Sequence, residues 1–192
     1  MTSDIVIKDL AAVGREDAEY LVSLITTTPD FPKEGIHFRD CMPVFADPRG
    51  FRILVDAMAE TLPVPADEFD AVAGLEARGF LYAAALATRL GKGCVAVRKA
   101  GKLPPETYAV EYGLEYGTAK AEIEKDALKP GERVILVDDL IATGGSAKAA
   151  TELIAKAGGK VVGYSFMMGL EGLDGVSRLG DAPVTTLVTM PA

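Results

Sequence analysis

Val134–Ser146 reads VILVDDLIATGGS. The first four residues are apolar without alternation, which predicts a strand buried on both faces at the centre of a sheet. Such a strand delivers Asp138 and Asp139 to its carboxyl end. Two adjacent carboxylates repel each other and need cations or hydrogen-bond donors; ribose hydroxyls, or a metal bound to them, supply these. The next residues, Ala142, Thr143, Gly144, Gly145 and Ser146, are small. The glycines let the backbone turn sharply and approach a ligand closely, and Thr143 and Ser146 add hydroxyls. A helix expected from about Ser146 aims its free amides and dipole at the same loop. The sum is a phosphate cradle one short loop from a pair of acids, which suits a sugar phosphate. A strand, a glycine turn and a Ser-capped helix would explain the glycines and Ser146, but not two acids at the end of a buried strand. Neither the G-x-x-x-x-G-K-[ST] loop nor G-x-G-x-x-G after a strand occurs.

Outward from this segment the same pattern recurs. Asp70–Leu75 and Cys94–Val97 are short apolar runs, followed by EARG (Glu76–Gly79) and RKAGK (Arg98–Lys102), and Val161–Met168 is a fourth run. Alanine-rich helical stretches follow the first and third runs. The expected fold is α/β, a parallel sheet with helices on both faces, its ligands at the carboxyl ends of the strands. A helix is expected over Glu16–Thr26 and another from Pro48 to about Glu60, with an irregular loop between them. Residues 102–120, mixing prolines, glycines and β-formers, predict a protruding hairpin or mobile flap. The 192 residues read as one domain, with about 1–45 forming an N-terminal hood and about 102–120 the flap.

A formal net charge of −8 argues against nucleic-acid or anionic-membrane partners. No apolar run is long enough for a membrane span and the start lacks signal-peptide order, so a cytoplasmic setting is expected. Cys41 and Cys94 lie in apolar contexts and read as buried free thiols.

VILVDDLIATGGS resembles the phosphoribosyl-pyrophosphate (PRPP) signature of the type I phosphoribosyltransferases. FPKEGIHFRD, GLEARGF, RKAGKLP and EYGLEYGTAKAEIEKDALKPGERV resemble the adenine-specific members in order and spacing, so the similarity runs from about Phe31 to Gly169. The resemblance implies formation of AMP and pyrophosphate from adenine and PRPP, with Mg2+ carried by PRPP rather than bound directly by protein ligands, and a homodimer. It assigns the ribose hydroxyls to Asp138 and Asp139 and the 5-phosphate to Ala142–Ser146. Arg78, Arg98, Lys99 and Lys102 would contact pyrophosphate, where charge grows in the transition state. The adenine pocket would comprise His37 through its backbone, Phe38 by stacking, Arg39, and Leu170 on the other face of the base. Glu111 and Glu115 have equal claims on composition as the group that exchanges a proton with the base; the GLEYG match favours Glu115. Tyr116 would close the flap, cover the sugar, or simply pack. Met167 and Met168 read as core. Two departures stand out: Gly169 where many relatives carry an acid, and Ser146 where threonine is common.

Two other readings remain at this point. A hypoxanthine, xanthine or guanine enzyme would need the reverse hydrogen-bond edge at the base, leaving polar atoms unpaired at roughly 1–3 kcal/mol each in an adenine-shaped site. A PRPP-sensing regulator of DNA would need a basic segment, which the first thirty residues do not supply.

Overall fold

The computed structural model describes residues 4–191 except 32, 105 and 114–117. The elements are β1 (Val6–Ile7), α1 (Leu10–Val13), α2 (Arg15–Leu24), β2 (Thr26–Pro29), β3 (His37–Asp40), α3 (Met42–Ala46), α4 (Pro48–Glu60), β4 (Ala71–Leu75), α5 (Gly79–Leu90), β5 (Gly93–Lys99), β6 (Thr107–Gly113), β7 (Thr118–Glu124), β8 (Arg133–Ile141), α6 (Gly145–Lys156), β9 (Lys160–Glu171) and β10 (Val184–Pro191). An eight-stranded sheet runs in the order β1-β10-β9-β8-β4-β5-β7-β6. Its five middle strands, from β10 to β5, are parallel; β1, β6 and β7 add antiparallel edges. The expected α/β sheet is therefore observed.

β8 lies between β9 and β4, and Val134, Ile135, Leu136 and Val137 are completely buried. Ile135 and Val137 pack with Leu54, Met58, Tyr82 and Leu86 from α4 and α5, whereas Val134 and Leu136 pack with Leu153 and Ile154 of α6 on the other face. This strict alternation gives each helix layer its own core. Alanine-rich α5 ends on Gly91 in the left-handed conformation, and α4 begins with Pro48 after Asp47, whose side chain accepts from Gly50 N at 2.6 Å.

Several expectations change. β8 does not stop at Val137: pairs from Asp138–Phe166 to Ile141–Gly169 carry it through the acids. α6 starts at Gly145 and is capped by Gly144, not by a serine side chain. Helix α2 ends at Leu24, and the expected loop after it holds β2, β3 and α3. β2 and β3 form a small antiparallel sheet of their own, the hood strands. Residues 107–113 and 118–124 pair antiparallel as β6 and β7, and β7 joins the main sheet beside β5. Cys41 is buried as expected, but Cys94 is exposed, because its face of β5 is left uncovered at that point.

Candidate active site

At the carboxyl ends of β4 and β8 lies a cleft of about 450 Å3. It is lined by Glu76–Arg78 after β4, Lys99 at the end of β5, the stretch Asp138–Ala147, and Phe166 of β9. Sequence-expected Arg78, Lys99, Asp138, Asp139, Ala142, Thr143, Gly144, Gly145 and Ser146 are thus brought together.

Asp139 is nearly buried, and Arg78 Nε donates to its Oδ2. Asp138 Oδ1 accepts the amide N–H of Asp139 at 2.9 Å. Burial first, and then the charge of Asp139, push the Asp138 carboxyl well above the usual carboxylate range. Its position depends on the first residue of α5: a Cβ on Gly79 would lie 2.7 Å from Asp138 Oδ1. That role of Gly79 is a helix-to-strand contact between segments distant in sequence, which no local pattern reveals. The two acids sit on successive residues of one strand, so their side chains leave opposite faces and diverge around the strand end.

The loop that follows gains its shape from Gly144, at φ +77°, which turns the chain into α6. Gly144 caps without a side-chain hydrogen bond, so the first amides of α6 are left for a ligand. Its neighbour Gly145 abuts the hairpin: a Cβ there would lie 3.3 Å from the Gly113 carbonyl oxygen. The last described residue of β6 therefore reaches the cradle directly.

Glu76 organises the basic side of the cleft. Its Oε2 accepts from Lys99 N at 2.8 Å and from Arg98 Nε at 3.3 Å. The Lys99 amide first, and then Arg98, hold the Glu76 carboxyl below its usual range despite some desolvation. The Glu76–Ala77 peptide is cis. Arg98 also donates from Nη1 to the Lys102 carbonyl at 3.0 Å, so its head is turned along its own loop. Arg98 and Lys102 flank the cleft and are not among the residues lining it. Phe166, opposite Asp138 in register, was not expected; the alternation of β9 against β8 was the signal that would have found it.

The hood approaches from one side. The Arg78 guanidinium carbon lies 5.6 Å from the centre of the Phe38 ring, and Phe31 packs edge-on to that ring at 5.2 Å. His37 is exposed on β3 opposite Pro29, which has no N–H to donate. Arg39 is committed elsewhere: Nη2 pairs with Asp4, Nη1 donates to Thr27 Oγ1 at 2.7 Å, and its side chain is 8% exposed. It braces the hood instead of reaching the cleft. Leu170 is not among the residues lining the cleft; it lines an adjoining pocket of about 210 Å3 that shares Ile141 and Ala142 with it. Met167 and Met168 are core, as expected. Glu115 and Tyr116 lie outside the described residues; Glu111, the other acid considered, is exposed on β6.

Comparison with known proteins fits this geometry. Residues 48–169 match the model of the phosphoribosyl transferase domain family. The chain is 66% identical over 190 residues to an adenine phosphoribosyltransferase of Bifidobacterium longum subsp. infantis, covering 99% of this chain and 98% of that one. Among solved structures, adenine phosphoribosyltransferase from Thermoanaerobacter pseudethanolicus superposes with a TM-score of 0.85 at 45% identity, covering 90% of this chain and 99% of that one. The Saccharomyces cerevisiae adenine phosphoribosyltransferase, complexed with D-2,5-dideoxy-2,5-imino-altritol 1,6-bisphosphate and adenine, superposes with a TM-score of 0.82 at 46% identity, covering 90% and 98%.

Proposed function

This chain belongs to the adenine phosphoribosyltransferases of the phosphoribosyl transferase domain family, and on that premise we propose how its residues make AMP and pyrophosphate from adenine and PRPP, a purine-salvage reaction. The observation that carries the reading is one cleft holding adjacent Asp138 and Asp139, the small-residue cradle Ala142–Ser146, and the cations Arg78 and Lys99. The 5-phosphate takes the amides and hydroxyls of the cradle. The ribose 2- and 3-hydroxyls donate to Asp138 and Asp139, which offsets the penalty that burial and mutual repulsion impose on that pair. N9 of adenine bonds to the anomeric carbon as the bond from that carbon to pyrophosphate breaks. The electron pair leaves on pyrophosphate, toward Arg78 and Lys99, with Arg98 and Lys102 available at the rim.

Adenine is proposed to stack on Phe38, with the His37 backbone at its edge and Leu170 across the base. Arg39 contributes by holding the hood strand. Glu115 is proposed to exchange the proton at the base and Tyr116 to help close over the sugar. Among the described residues no three His, Cys, Asp or Glu side chains converge on a metal position. Mg2+ would arrive on PRPP, held by its oxygens and not directly by protein side chains, and would neutralise charge on the leaving pyrophosphate beside Arg78 and Lys99.

A homodimer is proposed as well. Cys94 and Ala96 are exposed on the face of β5 away from the α6 core, and Leu81 and Ala84 are exposed on neighbouring α5. This small-residue, apolar face suits a second copy, and light scattering would give the mass of one chain if it is wrong. No helix among the described residues is long and apolar enough to cross a membrane. A cytoplasmic setting is proposed, consistent with two free cysteines.

The deciding assay supplies adenine, PRPP and Mg2+ and measures AMP, with hypoxanthine and IMP as the control. IMP forming as fast as AMP would remove the base assignment. Glu115→Gln is expected to lower turnover with little change in PRPP binding; wild-type turnover would remove its acid–base role.

A further inference from the structure

We propose that Gly175 is a positioning residue for the phosphate cradle, holding Ala142–Gly144 in place through direct backbone-to-backbone contact. The inference rests on the cradle reading of residues 142–146. Gly175 has φ −66° and ψ −35°, a conformation open to every residue, so backbone freedom does not explain the glycine. Space does. A Cβ on Gly175 would overlap the Ala142 carbonyl oxygen and lie 2.9 Å from both Ala142 C and Gly144 N. The contact is reciprocal: a Cβ on Gly144 would overlap the Gly175 carbonyl oxygen and lie 3.2 Å from Gly175 C and Cα. The obstructing atoms are all backbone, which cannot swing aside as the end of a side chain can.

The turn that carries Gly175 is anchored. Gly175 is buried although its neighbours Asp174 and Val176 are exposed. Its carbonyl accepts from Arg178 N at 3.3 Å, and Leu179 at the end of that turn is buried in the α6 core. Tyr164 OH donates to the Leu179 carbonyl at 3.3 Å and shares a 2.8 Å hydrogen bond with Thr151 Oγ1 of α6. The cradle is therefore held from two directions: α6 continues from one end, and a turn tied to α6 presses on its outer side. Amides that bind phosphate must keep their aim, and a displacement of about 1 Å takes a hydrogen bond out of its working range. An alanine at 175 imposes a displacement of that order on Ala142–Gly144.

The test compares wild type, Gly175→Ala and Val176→Ala, the last altering an exposed side chain on the same turn. Separate KM values for PRPP and adenine are measured, with amide hydrogen exchange across residues 142–146 and binding of inorganic phosphate. For Gly175→Ala the expected result is a rise of roughly tenfold or more in KM for PRPP, adenine KM within about twofold, faster exchange in the cradle and weaker phosphate binding. Val176→Ala should match wild type. An unchanged KM for PRPP, or equal rises in both KM values, overturns the proposal. Should Gly175→Ala fail to fold, Tyr164→Phe loosens the anchor alone: KM for PRPP should rise by about two- to threefold with adenine unchanged, and no rise overturns it. A wild-type protein that makes no AMP would defeat the assigned reaction; exchange and phosphate binding would still decide the role of Gly175.

Discussion

At the amino end of β8, Arg133 closes on Asp70; at its carboxyl end, Asp138 and Asp139 open onto a cleft. The strand is the same, but the treatment of charge is opposite. Asp70 accepts from Arg133 N at 2.9 Å, from Nε at 3.0 Å and from Nη2 at 2.9 Å, and Nη2 also donates to the Asp67 carbonyl at 3.1 Å. Each charge there finds its partner within the protein. At the other end two acids share one neighbouring guanidinium, that of Arg78, and burial works against the Asp138 charge. A protein that serves only its own stability has no reason to keep such a pair, because desolvating adjacent carboxylates costs free energy that nothing inside the fold returns. The contrast separates a clamp from a binding site: a clamp is complete as folded, whereas a site is left in need of its ligand.

The largest expected effect breaks the unsatisfied end. Asp138→Asn should lower kcat/KM for PRPP by roughly a hundredfold or more while changing KM for adenine little, as steady-state kinetics with each substrate varied would reveal. The same variant should keep or raise Tm near neutral pH, since burial and Asp139 disfavour a carboxylate at this position and an amide carries no such penalty. A large drop in Tm would make Asp138 a structural residue and erase the contrast. A smaller effect comes from moving the acid without removing it. Gly79→Ala places a Cβ against Asp138 Oδ1, and KM for PRPP should rise by roughly tenfold with turnover less affected. If Gly79→Ala has wild-type kinetics, the position of Asp138 is not critical to ribose binding.

The two ends also differ in how visible they are in the sequence. VILVDD announces a buried strand ending in acids, and EARG, RKAGK and ATGGS each fall after a strand, so most cleft-lining residues were legible as local patterns. The extent of β8 was not. Reading apolar runs stops at the first charge, whereas pairing with Phe166 and Met168 of β9 continues the strand through Asp138 and Leu140. TTTP and HFRD read as irregular because their strands are short and paired only with each other; β2 is exposed throughout and Phe38–Asp40 of β3 are only partly buried, so no fully buried face imposes an alternation. Arg39 looked like a ligand contact because its partner, Asp4, lies 35 positions away on a segment with no pattern of its own. The Cys94 expectation failed for a similar reason: apolar neighbours imply a covered face, but which strand faces α5 covers depends on how the helix packs. Gly79 and Gly175 are needed for close approach, and their contacts are 59 and 33 positions distant, at Asp138 and Ala142.

The smallest expected effect lies at the satisfied end, and its pH dependence is the mirror of the other. Hydrogen bonds from Arg133 hold the Asp70 carboxyl below its ordinary 3.8. The folded state then releases the proton more readily than the unfolded chain, so the clamp contributes fully above about pH 4 and is lost as the pH falls below it. Burial and Asp139 raise Asp138, so its folded form keeps a proton that the unfolded chain has lost. That contribution is complete below about pH 4 and disappears as the pH rises through the raised value. Asp70→Asn should thus lower Tm by a few degrees near neutral pH, with the difference from wild type vanishing in acid, and should leave PRPP kinetics unchanged. Asp138→Asn should depart from wild type in the opposite direction as pH rises. The Asp70 pair is well exposed, so raising the salt concentration should shrink the Asp70→Asn difference more than the Asp138→Asn one. Thermal melts of both variants from acid to neutral pH, at low and high salt, decide it: parallel curves would mean that the two ends of β8 handle charge alike.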